Sequence, residues 1–353
     1  MIKNIEHIFW KKGMLPVYLI FDVTYRCNSR CLTCFAWQDI EKTDKELKLE
    51  EIKKISLGLR DIEWLLLSGG EPFLRDDIDN ICEMFYEQNS TRRITIPTNG
   101  LLPEVVKNKT EEILKGCSKA KTVISLSMDG IKGKHDEIRG VNGNFEKLME
   151  TYRGLVELKK SYSNLSVNVN TVLSNKNIDC LKEIADYVLE NMKEVNFHGF
   201  ELLRGSPRDK EFKTLSWQEY EKALDFIKGY WNNFSFYDMP FARVIKNSKI
   251  LARELELDTL KKGKRMFNCY AGWVAGVIGA DGDVKLCELL PSLGNLKDVN
   301  FDFKRLWFSD RAKEQREMIK RAEGVCKNCT HSCFVASSVL FDPGKLLRAF
   351  LRV

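Results

Sequence analysis

Residues 27–34 read Cys27-Asn28-Ser29-Arg30-Cys31-Leu32-Thr33-Cys34, and they follow the strand-like run PVYLIFDVTYR. Three thiols fall within eight residues at the spacing Cys-x-x-x-Cys-x-x-Cys. Thiolates hold zinc or iron–sulfur clusters, and four protein ligands close such a site. Three leave one position open. Zinc would need a fourth ligand nearby, and no His or Cys stands in the twenty residues after Cys34.

Working outward, apolar strand-like runs occupy 16–23, 62–68, 92–98, 121–127, 165–173 and 194–203. Amphipathic helical stretches lie at about 47–59, 76–88, 105–118, 144–160, 178–191 and 216–232. Six β/α repeats predict an α/β fold, a parallel sheet with helices outside. Six units fall short of the eight-stranded barrel, so the expectation is a partial (β/α)6 barrel. Active sites of such sheets lie at the carboxyl ends of the strands. The three-cysteine loop falls at that end of the first strand.

The 353 residues allow one large domain or two, with 44% hydrophobic and 30% charged residues, as in a globular chain. The net charge of +6 comes mostly from scattered lysines, without a basic block or an RNA-binding aromatic signature, so nucleic acid is not an expected partner. The N-terminus lacks a secretory h-region, and no apolar run approaches the roughly 20 residues of a membrane span. A cytoplasmic location follows, and in a reducing compartment the eleven cysteines point to metal, catalysis or burial rather than disulfides. Cys82, Cys117 and Cys180 stand singly in helical stretches and read as packing residues.

Further landmarks sit at successive strand ends. They are Gly69-Gly70-Glu71-Pro72, Thr98-Asn99-Gly100, Ser127-Met128-Asp129-Gly130 and His135-Asp136-Glu137-Ile138-Arg139-Gly140. Together with the three-cysteine loop they resemble the radical S-adenosylmethionine (SAM) superfamily over residues 15–340. The resemblance implies a [4Fe–4S] cluster on Cys27, Cys31 and Cys34 whose open iron binds SAM, which is cleaved to a 5′-deoxyadenosyl radical. It implies SAM contacts from Gly69, Gly70, Glu71, Pro72, Asn99, Ser127, Asp129 and Arg139, with Glu71 toward the amino group and Arg139 toward the carboxylate. An external electron donor such as flavodoxin or ferredoxin is also implied. One departure is Thr33, where the family usually has an aromatic residue, with Phe35 just after the loop.

The pattern changes after about residue 235. Alternating apolar residues around Ala280-Asp281-Gly282-Asp283 predict a β-hairpin, followed by a helix over 305–324. Cys269, Cys287, Cys326 and Cys329 space themselves about these elements, and Cys333 follows. The arrangement looks like the Twitch/SPASM auxiliary-cluster domain of radical SAM enzymes, with a zinc ribbon as the alternative for the spacing alone. Five cysteines cannot close two four-thiolate clusters, whereas the first four close one [4Fe–4S] cluster. The expected division is an N-terminal segment (1–14), the barrel (15–235), a linker or bridge (236–265), a Twitch-like domain (266–340) and a tail (341–353).

A closed cluster can accept an electron from a substrate radical, so a two-electron oxidation of a small polar, sugar- or cyclitol-like substrate is expected. Glu288 stands where sulfatase-maturing relatives place a carboxylate after the hairpin cysteine; it is a catalytic base or a solvated charge. Cys333 is an inert core thiol, an alternative ligand or a hydrogen-atom donor, the last making the enzyme an epimerase. Arg204 reads as a bidentate anion ligand or a surface ion pair, and His198 as substrate-facing or packed. A peptide substrate is the alternative; the fifteen residues before the first strand hold no leader-binding domain. Ile2, Ile5, Ile8 and Phe9 with the basic LLRAFLRV end suggest a membrane-surface patch, against which packing on the barrel or a partner is preferred.

Overall fold

The computed structural model describes residues 14–40, 45–235 and 242–352. In chain order the barrel elements are β1 (Tyr18–Thr24), α1 (Leu49–Gly58), β2 (Trp64–Gly69), α2 (Ile78–Asn89), β3 (Arg93–Thr98) and α3 (Pro103–Gly116). Next come β4 (Lys121–Ser127), α4 (Gly133–Arg139), α5 (Asn144–Lys159), β5 (Leu165–Leu173), α6 (Leu181–Asn191), β6 (Phe197–Leu202) and α7 (Trp217–Tyr230). The six strands are parallel and adjacent in the order β6-β5-β4-β3-β2-β1. This is the partial barrel expected from the β/α repeats.

Side chains alternate between the helix side and the lumen along each strand, and in β2, β3 and β6 the burial alternates with them. Leu19, Phe21 and Val23 are fully buried on the helix side, Phe21 edge-on to Phe85 of α2. The opposite positions face the lumen and are largely polar: Asp22, Ser68, Ser125, Ser127, Asn168, Asn170 and Glu201 are all partly open. At the amino ends the lumen is floored by Tyr18 stacked on Trp64, ring centroids 4.5 Å apart, with Arg93 over the Trp64 ring.

The second half of the chain holds a long helix and the expected hairpin. The stretch expected as a linker or bridge is mostly that helix, α8 (Ala242–Lys262), which buries Leu251, Ala252 and Leu255. The hairpin strands are β7 (Ala275–Ile278), β8 (Asp283–Lys285) and the short β9 (Gly294–Asn295). β7 pairs in parallel with β1, Tyr18 opposite Ala275 and Phe21 opposite Ile278, so the hairpin extends the barrel's own sheet. Gly276 permits this, because a Cβ there would meet the Trp307 ring at 2.8 Å. The single helix expected over 305–324 is two, α9 (Phe303–Trp307) and α10 (Asp310–Arg321), divided where Ser309 caps α10 by accepting from Ala312 N. α11 (Ser332–Leu340) and α12 (Pro343–Leu351) follow, so the expected tail is helical and packs on α8.

α12 buries Ala349 against the fold and leaves Leu347, Phe350 and Leu351 exposed. Ile2, Ile5, Ile8 and Phe9 lie outside the described residues. Among the described residues no helix is long and apolar enough to cross a membrane.

Candidate active site between two cysteine groups

The three-cysteine loop leaves β1 and is clamped from several sides. Arg30 N and Leu32 N donate to the Arg139 and Ile138 carbonyls (3.2 and 2.9 Å), and Ser29 Oγ donates to Arg139 O (2.8 Å). Asn99 Nδ2 donates to Asn28 Oδ1 (2.8 Å), and Arg208 N to Cys34 O (3.0 Å). The three thiols are close enough to sense one another: burial pushes Cys27 up to about 11, and Cys31 adds to the rise at both Cys27 and Cys34. Bound iron reverses this preference, because a coordinating thiol is deprotonated.

The Gly69-Gly70-Glu71-Pro72 turn lies against this loop. Gly70 N donates to Thr24 O and Glu71 N to Arg26 O, both at 2.8 Å. A Cβ on Gly70 would lie 2.1 Å from Arg26 O, so only glycine lets the two backbones meet. Glu71 is buried, with Oε1 accepting from Thr98 Oγ1 (2.9 Å) and Phe73 N (3.3 Å), and Oε2 from Asn99 N (2.8 Å). Burial holds its carboxyl up at about 7 against these donors. Glu71 therefore ties the end of β2 to the end of β3. Pro72 opens the short turn that follows.

Asp129 is buried and likewise ties backbone and side chain together at the end of β4. Its Oδ1 accepts from Val172 N (2.8 Å) and its Oδ2 from Arg139 Nη1 (3.0 Å). Arg139, so held, has a buried Nε without a hydrogen-bond partner, and its charge is felt at Cys27 and Cys34. An unpartnered guanidinium edge beside the cysteine loop fits the carboxylate of SAM. Ser127 is partly open on the lumen side.

The second group comes from both sides of the β7–β8 hairpin, Cys269 before it and Cys287 after it, and from the loop before α11 that carries Cys326 and Cys329. Burial pushes Cys269 up to about 12, with Cys329 and Cys326 adding to it, and Cys287 is raised by burial and by Cys269 and Cys329. Cys329 and Cys326 thus act on Cys269, and Cys269 and Cys329 on Cys287, which brings the four thiols into one group that fits a four-thiolate cluster. Arg265 lies beside them, donating through N to Lys327 O and through Nη2 to Ile319 O, both at 2.5 Å.

A charged network reaches from Phe35, next to Cys34, to His331, two residues after Cys329. Glu288 Oε2 is 2.6 Å from His331 Nε2, and Glu288 Oε1 is 3.7 Å from Arg204 Nη2. Arg204 Nη1 donates to Glu201 Oε2 (3.2 Å), and its guanidinium lies 4.6 Å from the Phe35 ring centre. Burial alone would raise Glu288, but Arg204 and His331 outweigh it and hold the carboxyl at about 2. A carboxylate so occupied is a poor proton acceptor, which redirects the expectation of Glu288 as base. The His331 ring has no exposed surface, so it holds Glu288 rather than touching substrate. Sequence reasoning passed over His331; its place two residues after Cys329 was the available signal.

Cys333 is half-buried, packed against the main core and near Tyr18, Glu201, Arg204 and Glu288. Burial and Glu201 push it up to about 12, so it carries its proton. His198 is corrected outright. Its Nε2 meets Thr171 Oγ1 and its Nδ1 meets the Tyr230 hydroxyl, both at 2.9 Å, on the buried side of β6 under α7. Burial pushes its ring down to about 3, a packed neutral imidazole.

A partial barrel with a three-thiolate loop at its first strand end, beside a four-thiolate group, defines an iron–sulfur enzyme of the SAM-cleaving class. A family model described as the radical SAM superfamily matches residues 21–188, and one described as an iron–sulfur cluster-binding domain, SPASM, matches residues 269–330. The chain belongs to the radical SAM superfamily and carries a SPASM-type auxiliary-cluster domain. Its cofactors are SAM, the [4Fe–4S] cluster of the Cys-x-x-x-Cys-x-x-Cys loop and auxiliary iron–sulfur. The antilisterial bacteriocin subtilosin biosynthesis protein AlbA of Bacillus subtilis (strain 168) is 26% identical over 335 residues, 89% of this chain and 67% of that protein. The AdoMet-dependent heme synthase of Methanosarcina barkeri (strain Fusaro) is 25% identical over 337 residues, 90% of this chain and 89% of that one. The solved structure of native anSMEcpe with bound AdoMet and Cp18Cys peptide superposes with a TM-score of 0.59 at 19% identity, covering 95% of each chain. At that identity the likeness speaks to the fold.

Proposed function

We propose that this enzyme oxidises a polar substrate by two electrons, removing a hydrogen from carbon and a proton from an adjacent O–H or N–H. The observation that carries the reading is the polar lumen: Glu288 bears on both Asp22 and Arg204, Arg204 pairs with Glu201, and the Arg204 guanidinium lies over Phe35, next to Cys34, while its charge is felt at Cys329 of the four-cysteine group. When bound, SAM supplies hydrogen-atom abstraction and the auxiliary cluster supplies an electron acceptor. The residues do the rest. Cys27, Cys31 and Cys34 hold the first cluster, and Cys269, Cys287, Cys326 and Cys329 hold the second. Gly69, Gly70, Asn99, Ser127 and Arg139 form the SAM-side wall. Arg204, whose buried Nε has no partner, offers a fixed donor to a substrate anion or carbonyl. Glu288 and His331 lock that arginine in place.

The substrate is a small polyol in the reading reached from the sequence. A peptide is the second reading, favoured by the peptide in the anSMEcpe complex and by the bacteriocin named for AlbA. Release of 5′-deoxyadenosine, screened against sugars, aminocyclitols and short peptides under reducing anaerobic conditions, separates the two.

A second outcome for the radical rests on Cys333. A protonated thiol near Arg204 and Glu288 suits hydrogen-atom return, which gives an epimer. Product mass in D2O decides: a product lighter by two hydrogens supports oxidation, and one deuterium gained at carbon refutes it in favour of epimerisation.

A further inference from the structure

We infer that Asp22 is the proton acceptor of this oxidation, a catalytic base standing beside Gly69 of the SAM-side wall. The inference rests on the oxidative reading above. Asp22 is the one residue of β1 that is not sealed, and it faces the lumen at the strand's carboxyl end, opposite Ser68 of β2. Its Cβ would lie 3.3 Å from a Cβ on Gly69, so the glycine of the SAM motif keeps the space beside it open. Among the described residues its carboxylate makes no hydrogen bond and no ion pair, in contrast to Glu71, Asp129, Glu201 and Glu288, each already held by a donor.

A half-buried carboxylate without a protein donor is costly unless solvent or a substrate hydrogen completes it. The groups that face Asp22 come from three sides: Glu288 and Lys285 at β8, Asp39 beyond the cysteine loop, and Asp281 in the hairpin turn. Tyr25, at the end of its own strand, feels its charge and donates its hydroxyl to Asp281 Oδ1 at 3.1 Å. Burial first, then Glu288, Asp39 and Asp281, push Asp22 from 3.8 up to about 7, with Lys285 opposing. A base poised near the working pH is the most effective one.

The step balances as follows. The substrate H–C–X–H, with X oxygen or nitrogen, loses a hydrogen atom from carbon to the 5′-deoxyadenosyl radical. The X–H proton passes to Asp22, one electron passes to the oxidised auxiliary cluster, and the C=X double bond forms. The proton later leaves Asp22 to solvent, and the electron leaves to an oxidised one-electron carrier protein.

Two measurements test this with Asp22→Asn. The first is thermal unfolding of the reconstituted protein against pH, which needs no substrate. Asp22 binds its proton more tightly folded than unfolded, so wild-type stability falls as pH rises from about 4 through about 7, whereas the Asn variant lacks that loss. The melting advantage of Asp22→Asn should therefore widen over that range; parallel curves overturn the inference. The second uses the polyol or peptide that stimulates 5′-deoxyadenosine release from the wild type. The ratio of oxidised product to 5′-deoxyadenosine should fall on the order of 10²–10⁴-fold in the variant. An unchanged ratio, with a product still lighter by two hydrogens, overturns Asp22 and leaves oxidation standing. A wild-type product that has not lost two hydrogens overturns the oxidative reading itself and the inference with it.

Discussion

Glu288 has Arg204 at 3.7 Å on one side and His331 at 2.6 Å on the other, and all three side chains are at least four-fifths covered. Glu288→Gln removes the charge that both neighbours face. Leaving such groups incompletely paired costs about 1–3 kcal/mol, so the variant should unfold at lower urea than wild type. The pH dependence has a definite sign. The folded carboxyl is held at about 2, below the ordinary 4.5, so its contribution is present above about 4.5 and fades as pH falls toward 2. The gap between wild type and Glu288→Gln should close in acid, the reverse of the behaviour expected at Asp22. A constant gap across that range in urea titrations would show that Glu288 contributes packing rather than charge. The two cysteine groups stood out in the sequence because their spacing is itself the signal. Asp22 and His331 were not, because an aspartate in a strand and a histidine after a cysteine acquire meaning only from Glu288, Lys285 and Arg204, which meet them through the fold.

At the scale of elements, the six barrel strands could be read because each alternates helix-facing and lumen-facing residues, and each is followed by an amphipathic helix. α8 was missed because its apolar residues are interleaved with buried charge: Arg253 donates to Glu256 (2.9 Å) and Ser332 Oγ (2.7 Å), and Tyr220 donates to Glu256 (2.7 Å). No periodicity announces such a network. The pairing of β7 with β1 was equally hidden, since it joins residues from opposite ends of the chain. Two glycines mark where elements meet backbone to ring or backbone to backbone, and each gives a test. Gly276→Val should force Trp307 aside and loosen β7, lowering iron by about four atoms per chain, one cluster's worth, while SAM cleavage persists. Gly70→Ala should push the turn away from Arg26 and weaken SAM binding in calorimetry, with the auxiliary iron retained. Equal iron loss in both variants would mean that the two sites do not assemble separately.

For the whole molecule, the continuous sheet from β6 to β9 has a thermodynamic consequence. The auxiliary site hangs on β7 and β8, and β7 is hydrogen-bonded to β1 at the centre of the sheet, so cluster assembly there should stabilise the barrel as well. Ligand binding to the folded state alone raises stability, and cluster ligands form a site only when folded. Replacing Cys269, Cys287, Cys326 and Cys329 by Ala should remove about half of roughly eight iron atoms and lower the melting temperature followed by far-ultraviolet circular dichroism, which reports the barrel helices. Replacing Cys27, Cys31 and Cys34 should remove the other half and abolish SAM cleavage. In the wild type, loss of cluster absorbance and loss of helical signal should coincide in one transition, as two-state unfolding requires. If the cluster absorbance disappears well before the helical signal changes, the auxiliary region unfolds by itself, and the β1–β7 pairing does not couple it to the barrel.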